Sequence, residues 1–242
     1  MALSAKPYLQ AVSIRADAAI DFDEYPYTIP AVREMGVLKF HPDVTFFVGE
    51  NGAGKSTVLE AIAIALGYGP EGGTKNVQLK TTESVSTLHE SLRLAHSFKK
   101  PKDGCFLRAE SFFNVATYMD DMGYLGGYGD KSLHARSHGE AFMSLLTQKM
   151  RGNGLYLLDE PEAALSPNRQ LAALSAIHQL VQEHSQFITA THSPILLSYP
   201  NAKILQFDGS GISEVAYEDT DHYAVTKDFL NHYQQRLKGL LD

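Results

Sequence analysis

Residues 49–57 of this 242-residue chain read Gly49-Glu50-Asn51-Gly52-Ala53-Gly54-Lys55-Ser56-Thr57, the spacing G-x-x-x-x-G-K-[ST]. The flanks constrain the fold more than the spacing does. Val44-Thr45-Phe46-Phe47-Val48 is β-branched and aromatic and bounded by Pro42, which predicts a buried strand. Val58 to Leu66 carries apolar residues at helical spacing and stops at Gly67, which predicts a helix. A strand, a glycine loop and a helix in that order make a phosphate cradle. Gly49, Gly52 and Gly54 let the backbone bend and bring its N–H groups close to phosphate oxygens. The helix N-terminus adds the positive end of its dipole. Lys55 has the reach to meet β- and γ-phosphates, and the Ser56 hydroxyl is a Mg²⁺ ligand in such loops. Glu50, Asn51, Ala53 and Thr57 complete the expected nucleotide-binding set.

With 44% hydrophobic residues, the chain can bury one sizeable core, so a single domain over residues 1–242 is expected. A formal charge of −7 weakly disfavours nucleic-acid binding over the whole surface but leaves a local basic groove open. Cys105 is the only cysteine, which forbids an internal disulfide and suits a reducing compartment. Its apolar neighbours make it a small buried residue rather than a nucleophile. No stretch approaches the length of a membrane span, and Met1 to Lys6 lacks a secretory h-region, so a cytoplasmic chain without membrane insertion is expected.

Strands are predicted over Tyr8 to Arg15, Val37 to Phe40 (antiparallel to the first), Cys105 to Ala109, Gly154 to Leu158 and Phe187 to Ala190. Lys203 to Phe207 and Gly211 to Tyr217 read as a hairpin around Asp208-Gly209. Helices are predicted over Thr82 to Phe98, with Val85, Leu88, Leu92 and Ala95 on one face, over Phe112 to Met119 and over Ser137 to Met150. Another follows Ser166 as cap and Pro167 as first residue, with a core stripe of Leu171, Leu174, Ile177 and Val181. The last carries Val225, Phe229, Tyr233, Leu237 and Leu240 at steps of three or four. This alternation predicts an α/β fold with a mostly parallel sheet.

Leu155 to Leu158 is an apolar strand that ends in Asp159-Glu160-Pro161-Glu162. Adjacent carboxylates at the tip of a buried strand are costly unless a cation sits beside them. Beside a phosphate loop that cation is Mg²⁺, with Asp159 as its acidic anchor. Glu160 would then face the γ-phosphate and orient or deprotonate the attacking water.

With these motifs the chain resembles the ABC-type ATPases, from about Val44 to Phe207. The resemblance implies a phosphate-loop fold with antiparallel N-terminal strands and a small helical insertion, about residues 82–150, that carries the family signature. Leu155 to Glu160 is like the family's second nucleotide motif, whose last acid is the catalytic base. Ala163-Ala164-Leu165-Ser166 is similar to the loop that contacts the partner subunit. Thr191-His192-Ser193 resembles the switch histidine that meets the γ-phosphate; His192 lies 32 residues after Glu160 and directly follows a predicted strand. The signature would fall at Ser137, His138, Gly139 and Glu140; His138 and Glu140 depart from the family pattern, as in soluble SMC-like members. Glu110 stands where the family has a glutamine that ligates Mg²⁺. Tyr27 or Tyr25 would be the aromatic residue that stacks on adenine. The family sandwiches two ATP molecules between two subunits, which implies an ATP-induced homodimer acting on a separate protein partner.

Alternatives stay open. A transporter's nucleotide-binding subunit is one, although about 80 residues between Lys55 and Ser137 leave little room for a membrane-docking region. A compact relative of the DNA-repair ATPases is another, without their coiled-coil arms. A sensor that binds ATP without turnover is a third, opposed by Glu160. The pair His134 and His138 lacks a third metal ligand, and Tyr118, Tyr124 and Tyr128 stand among Asp120, Asp121 and Asp130, which would repel nucleic-acid phosphates.

Overall fold

The computed structural model of the chain describes residues 6–75, 86–111 and 138–241. At its centre is a six-stranded sheet made of β3 (Val44–Val48), β5 (Asp103–Arg108), β6 (Gly154–Asp159), β7 (Gln186–Ala190), β8 (Lys203–Asp208) and β9 (Gly211–Val215). The strand order is β5-β6-β7-β3-β8-β9, parallel throughout except for the final β8–β9 hairpin. A second sheet, all antiparallel, sets β1 (Leu9–Ile14) between β2 (Leu38–Lys39) and β4 (Leu92–His96). The α/β class and the antiparallel N-terminal strands follow the sequence reading, but those strands form their own sheet.

Both faces of the central sheet are covered, so its strands are apolar on alternate residues in both directions. Phe46, Tyr156, Leu158 and Phe187 point to one side, where α4 (His138–Gln148), α5 (Pro167–Gln182) and the single turn α6 (Pro194–Leu197) pack. Phe47, Phe106, Leu157 and Ile188 point to the other, against α2 (Lys55–Ala65), the turn α1 (Pro30–Arg33) and β1. Burying a side chain such as Phe47 or Phe187 contributes on the order of 2–3 kcal/mol. Cys105 lies within the first of these layers, buried as expected.

Three sequence expectations change. Residues 86–98 are not one helix: α3 (Leu88–Ser91) is a single turn, and Leu92–His96 is β4. Leu92-Arg93-Leu94 also alternates with period two, and pairing with β1 across Leu9 to Ile14 settles the choice by satisfying the backbone. The expected helical insertion therefore contains two strands among its described residues; the predicted helix at 112–119 lies outside them. The α5 core stripe is also displaced. Leu171 is 55% exposed, while Ala173, Ala176, Ile177, Leu180 and Val181 are buried, and Ser166 caps without a side-chain hydrogen bond. Finally, α7 (Asp221–Leu241) buries none of its residues: Val225, Phe229, Tyr233, Leu237 and Leu240 are all exposed. Among the described residues, no helix is long and apolar enough to cross a membrane.

Gln186 joins the two sheets. Fully buried at the start of β7, it accepts from Leu9 N at 3.0 Å and donates to Leu9 O at 2.9 Å and His41 O at 3.1 Å. Replacing it leaves buried backbone groups unpaired, which costs more than the bonds themselves return. Gln186→Leu is expected to lower stability by about 2–4 kcal/mol, read from the urea midpoint. A midpoint unchanged from wild type would remove Gln186 from this role.

Candidate nucleotide-binding site

The site is assembled by register. Phe47 on β3, Ala190 on β7 and Asp159 on β6 lie on one rung, and Arg108 on β5 continues it. Each strand therefore releases its chain at the same edge of the sheet: the glycine loop from β3, Thr191-His192 from β7, Glu160 from β6 and Ala109-Glu110 from β5. Because β7 lies between β3 and β6, His192 emerges between the loop and the carboxylates. Ligands bind at this carboxyl edge in open α/β sheets.

The loop needs its glycines at two positions for different reasons. Gly49 sits at φ 143° and presses its backbone on Phe207 O, leaving no space for a side chain. Gly54 sits at φ 96°, and a Cβ there would lie 2.9 Å from Ile29 Cγ2. Gly54 leads straight into α2, so the first turn of that helix, with its orphan N–H groups, faces the loop. Lys55 is buried, and its Nζ donates to Gly49 O at 2.7 Å and Glu50 O at 2.9 Å. Desolvation lowers its pKa, opposed by the charges of Glu160, Asp159, Glu50 and Glu162.

Ser56 Oγ donates to Asp159 Oδ1 at 2.8 Å, bringing a hydroxyl and a carboxylate from the two motifs together. Asp159 is buried, and burial pushes its pKa up to about 6 against the Ser56 hydrogen bond and the Arg108 charge, with Glu160 and Glu110 pushing the same way as burial. Arg108 Nε lies 3.5 Å from Asp159 Oδ2, and its guanidinium also pairs with Glu60 of α2. Hard oxygen donors of this kind, few in number and next to a phosphate cradle, suit Mg²⁺, which usually takes one or two protein ligands and completes its shell with water and substrate phosphates.

Glu160 follows β6 with φ 49° and ψ 50°, a left-handed conformation that costs a non-glycine residue about 1–2 kcal/mol. It is held there by its N–H, which donates to Ala190 O at 2.9 Å. Its Oε1 lies 3.5 Å from His192 Nε2. Glu162 fixes the chain on the other side by accepting from Thr191 Oγ1 at 2.8 Å and from His192 N. His192 Nδ1 lies 2.8 Å from Nε2 of His222, in the first turn of α7. A cavity of about 340 Å³ is lined by Gly49 to Ala53, by Gln206 to Gly209, and by Asp221 and His222.

The structure thus gathers Lys55, Ser56, Asp159, Glu160 and His192 at one edge. Tyr27 is not there. It is 6% exposed in the core, with its hydroxyl 2.7 Å from Ser91 Oγ, and cannot stack on a base from that position. Tyr25 is 63% exposed, with its hydroxyl 3.2 Å from Thr57 Oγ1, and is the aromatic residue that reaches the loop. Glu110 is exposed near this edge, where its charge acts on Asp159. Of the signature positions, Ser137 and the His138 side chain lie outside the described residues. Gly139 faces Arg169 and lies against Ala164 O, where a Cβ would be 2.8 Å from that carbonyl, so the chain's own 163–166 loop occupies the space beside it. Glu140 pairs with Arg169 at 3.2 Å.

Arg108, Glu162 and His222 were missed by the sequence reading. Glu162 was visible as the third acid of its cluster. Arg108 and His222 carried no signal, because sheet order brings the first to the site and the placement of α7 the second.

The raised Asp159 carboxyl has a definite sign. The folded state holds this proton more tightly than the unfolded chain, whose aspartate titrates near about 3.9. Its contribution to stability is full below that value and is lost as the pH rises through about 6. Nucleotide-free protein in EDTA is expected to lose on the order of 2–3 kcal/mol through this group between these two values. Asp159→Asn should flatten that fall in urea midpoints measured from pH 4 to 7.5; an unchanged slope would show that Asp159 is not the group responsible.

A family model described as an AAA domain matches residues 31–114, a stretch that includes β3, the glycine loop and α2. No curated protein matches the chain. Among solved structures, the ATP-binding cassette of an ABC transporter in its ADP conformation is similar at 16% identity, covering 82% of this chain and 90% of its own, with a TM-score of 0.45. The SMC head domain from Thermotoga maritima is similar at 17% identity, covering 74% and 92%, with a TM-score of 0.42. An SMC head bound to the C-terminal winged-helix domain of ScpA is similar at 15% identity, covering 74% and 92%, with a TM-score of 0.44. The family match falls on the strand, loop and helix whose geometry is described above.

Proposed function

We propose that this chain binds Mg-ATP and hydrolyses it, and that ATP holds two copies head to tail in a switch acting on a separate partner. One observation carries the reading: Lys55, the Ser56–Asp159 pair and Glu160 beside His192 share one sheet edge. Lys55 would exchange its two carbonyl acceptors for β- and γ-phosphate oxygens. Ser56 and Asp159 would hold Mg²⁺, which supplies neutralising charge between the phosphates when bound. Glu160 orients a water and accepts its proton as the water oxygen attacks the γ-phosphorus. The bond to the β–γ bridging oxygen breaks, and ADP and phosphate leave. His192 would donate from Nε2 to a γ-phosphate oxygen. Tyr25 is the residue we assign to the adenine ring.

The second copy would supply Ser137 and Gly139 against the γ-phosphate, closing a site that one chain leaves open. The γ-phosphate then biases a two-state dimer, as in other nucleotide switches.

Lys55→Ala is expected to abolish ATP binding in calorimetry; retained affinity would sink the phosphate-loop assignment. Glu160→Gln should bind Mg-ATP, lose turnover by at least about 100-fold and double its mass in light scattering only when Mg-ATP is present. Normal turnover in this variant would remove Glu160 as the base, and a persistent monomer with ATP bound would refute the homodimer.

A further inference from the structure

His222 belongs to no motif, yet it touches the residue that the site aims at the terminal phosphate. Its Nε2 lies 2.8 Å from His192 Nδ1, with ring centroids 5.0 Å apart. A hydrogen bond between two imidazole nitrogens holds one proton, so one ring donates and the other accepts. The far nitrogen of His192, Nε2, is buried and has no hydrogen-bond partner among the described residues; Glu160 Oε1 stands 3.5 Å away.

We propose that His222 is a positioning residue: it donates its Nε2–H to Nδ1 of His192 and so fixes His192 as the tautomer that carries its proton on Nε2, facing the phosphate edge. The opposite arrangement would have His192 donate from Nδ1 and point a bare lone pair from Nε2 at the Glu160 carboxylate. Two acceptors would then face each other in a partly buried place, and the incoming phosphate would add a third. With His222 as donor, Nε2–H meets acceptors only.

The surroundings favour the neutral form of both rings, which suits this division of protons. Desolvation and the Lys55 charge lower the pKa of each, and His222 further lowers that of His192. Glu160 and Glu50 act against this at His192, and Glu50 and Asp221 at His222, without reversing it. A neutral donor can release its phosphate after the reaction more readily than an imidazolium, which would bind both states tightly. The same bond ties the first turn of α7 to the γ-phosphate position.

The inference rests on the reading of His192 as the phosphate donor, so two measurements separate the claims. The first needs no activity: nitrogen NMR of the imidazole rings in nucleotide-free protein at pH 8. His192 is expected to show a protonated Nε2 and an acceptor Nδ1, and His222→Ala to convert it into a tautomer mixture. A protonated Nδ1 on His192 in wild-type protein, or an unchanged spectrum in the variant, would overturn the proposal. The second is steady-state ATP hydrolysis. His222→Ala should lower kcat roughly tenfold with KM nearly unchanged. His222→Gln, whose amide also donates from Nε2, should recover most of it. Equal loss in both variants would mean a merely structural role and overturn the proposal. If the NMR result holds while His192→Ala leaves hydrolysis intact, the tautomer lock stands and the catalytic reading of His192 fails instead.

Discussion

The hydrogen bond from Ser56 to the buried Asp159 joins residues 103 apart in sequence, and the site depends on it. A carboxylate at the end of a strand buried on both faces is expensive to ionise. Here it is compensated by a hydroxyl donor, by Arg108 and by the nearby Lys55, and still its pKa is pushed up to about 6. Asp159 is thus poised between neutral and charged. A divalent cation would complete what the protein's own donors leave unfinished, which is the physical content of pairing a phosphate loop with a buried acid.

Around that pair the chain is stiff on one side and strained on the other. Gln186 ties the antiparallel sheet to β7, and the buried phenylalanines of β3 and β7 fill both layers. Against this rigid frame Glu160 is held in a left-handed conformation by the Ala190 carbonyl and by Glu162, whose carboxylate anchors Thr191 and His192. Packing elsewhere maintains a backbone state that the residue would not choose alone. Its carboxylate is thereby kept beside His192 at the glycine-loop edge of the sheet and does not turn away along α5.

Legibility in the sequence followed the strength of local constraint. The strand, glycine loop and helix at 44–66 were readable because each piece has its own signal and the order is meaningful. The strands at 154–159 and 186–190, and the hairpin at 203–215, were readable for the same reason. Leu92 to His96 was misread because its apolar residues fit both period three-to-four and period two, and only β1, far away in sequence, offers a ladder for the second. Leu171 looked like core because leucine is apolar, yet α5 meets the sheet through smaller residues, Ala173 and Ala176, which permit a closer approach. Tyr27 and Tyr25 are two positions apart with the same chemistry, and only the path of the chain buries one and leaves the other beside Thr57.

By itself the sequence determined the class of fold and the chemistry on offer: a phosphate cradle, a buried acid followed by a second, and a histidine after a strand. These are local, because glycine spacing, apolar runs and the residues at their ends act within a few positions of one another. The tertiary structure decided how they meet. Placing β7 between β3 and β6 in common register brings His192 between the loop and Glu160 and seats Arg108 on Asp159, and the first turn of α7 lays His222 against His192. Strand order and register depend on burying whole faces at once, a property of the complete sheet that no short stretch of residues encodes.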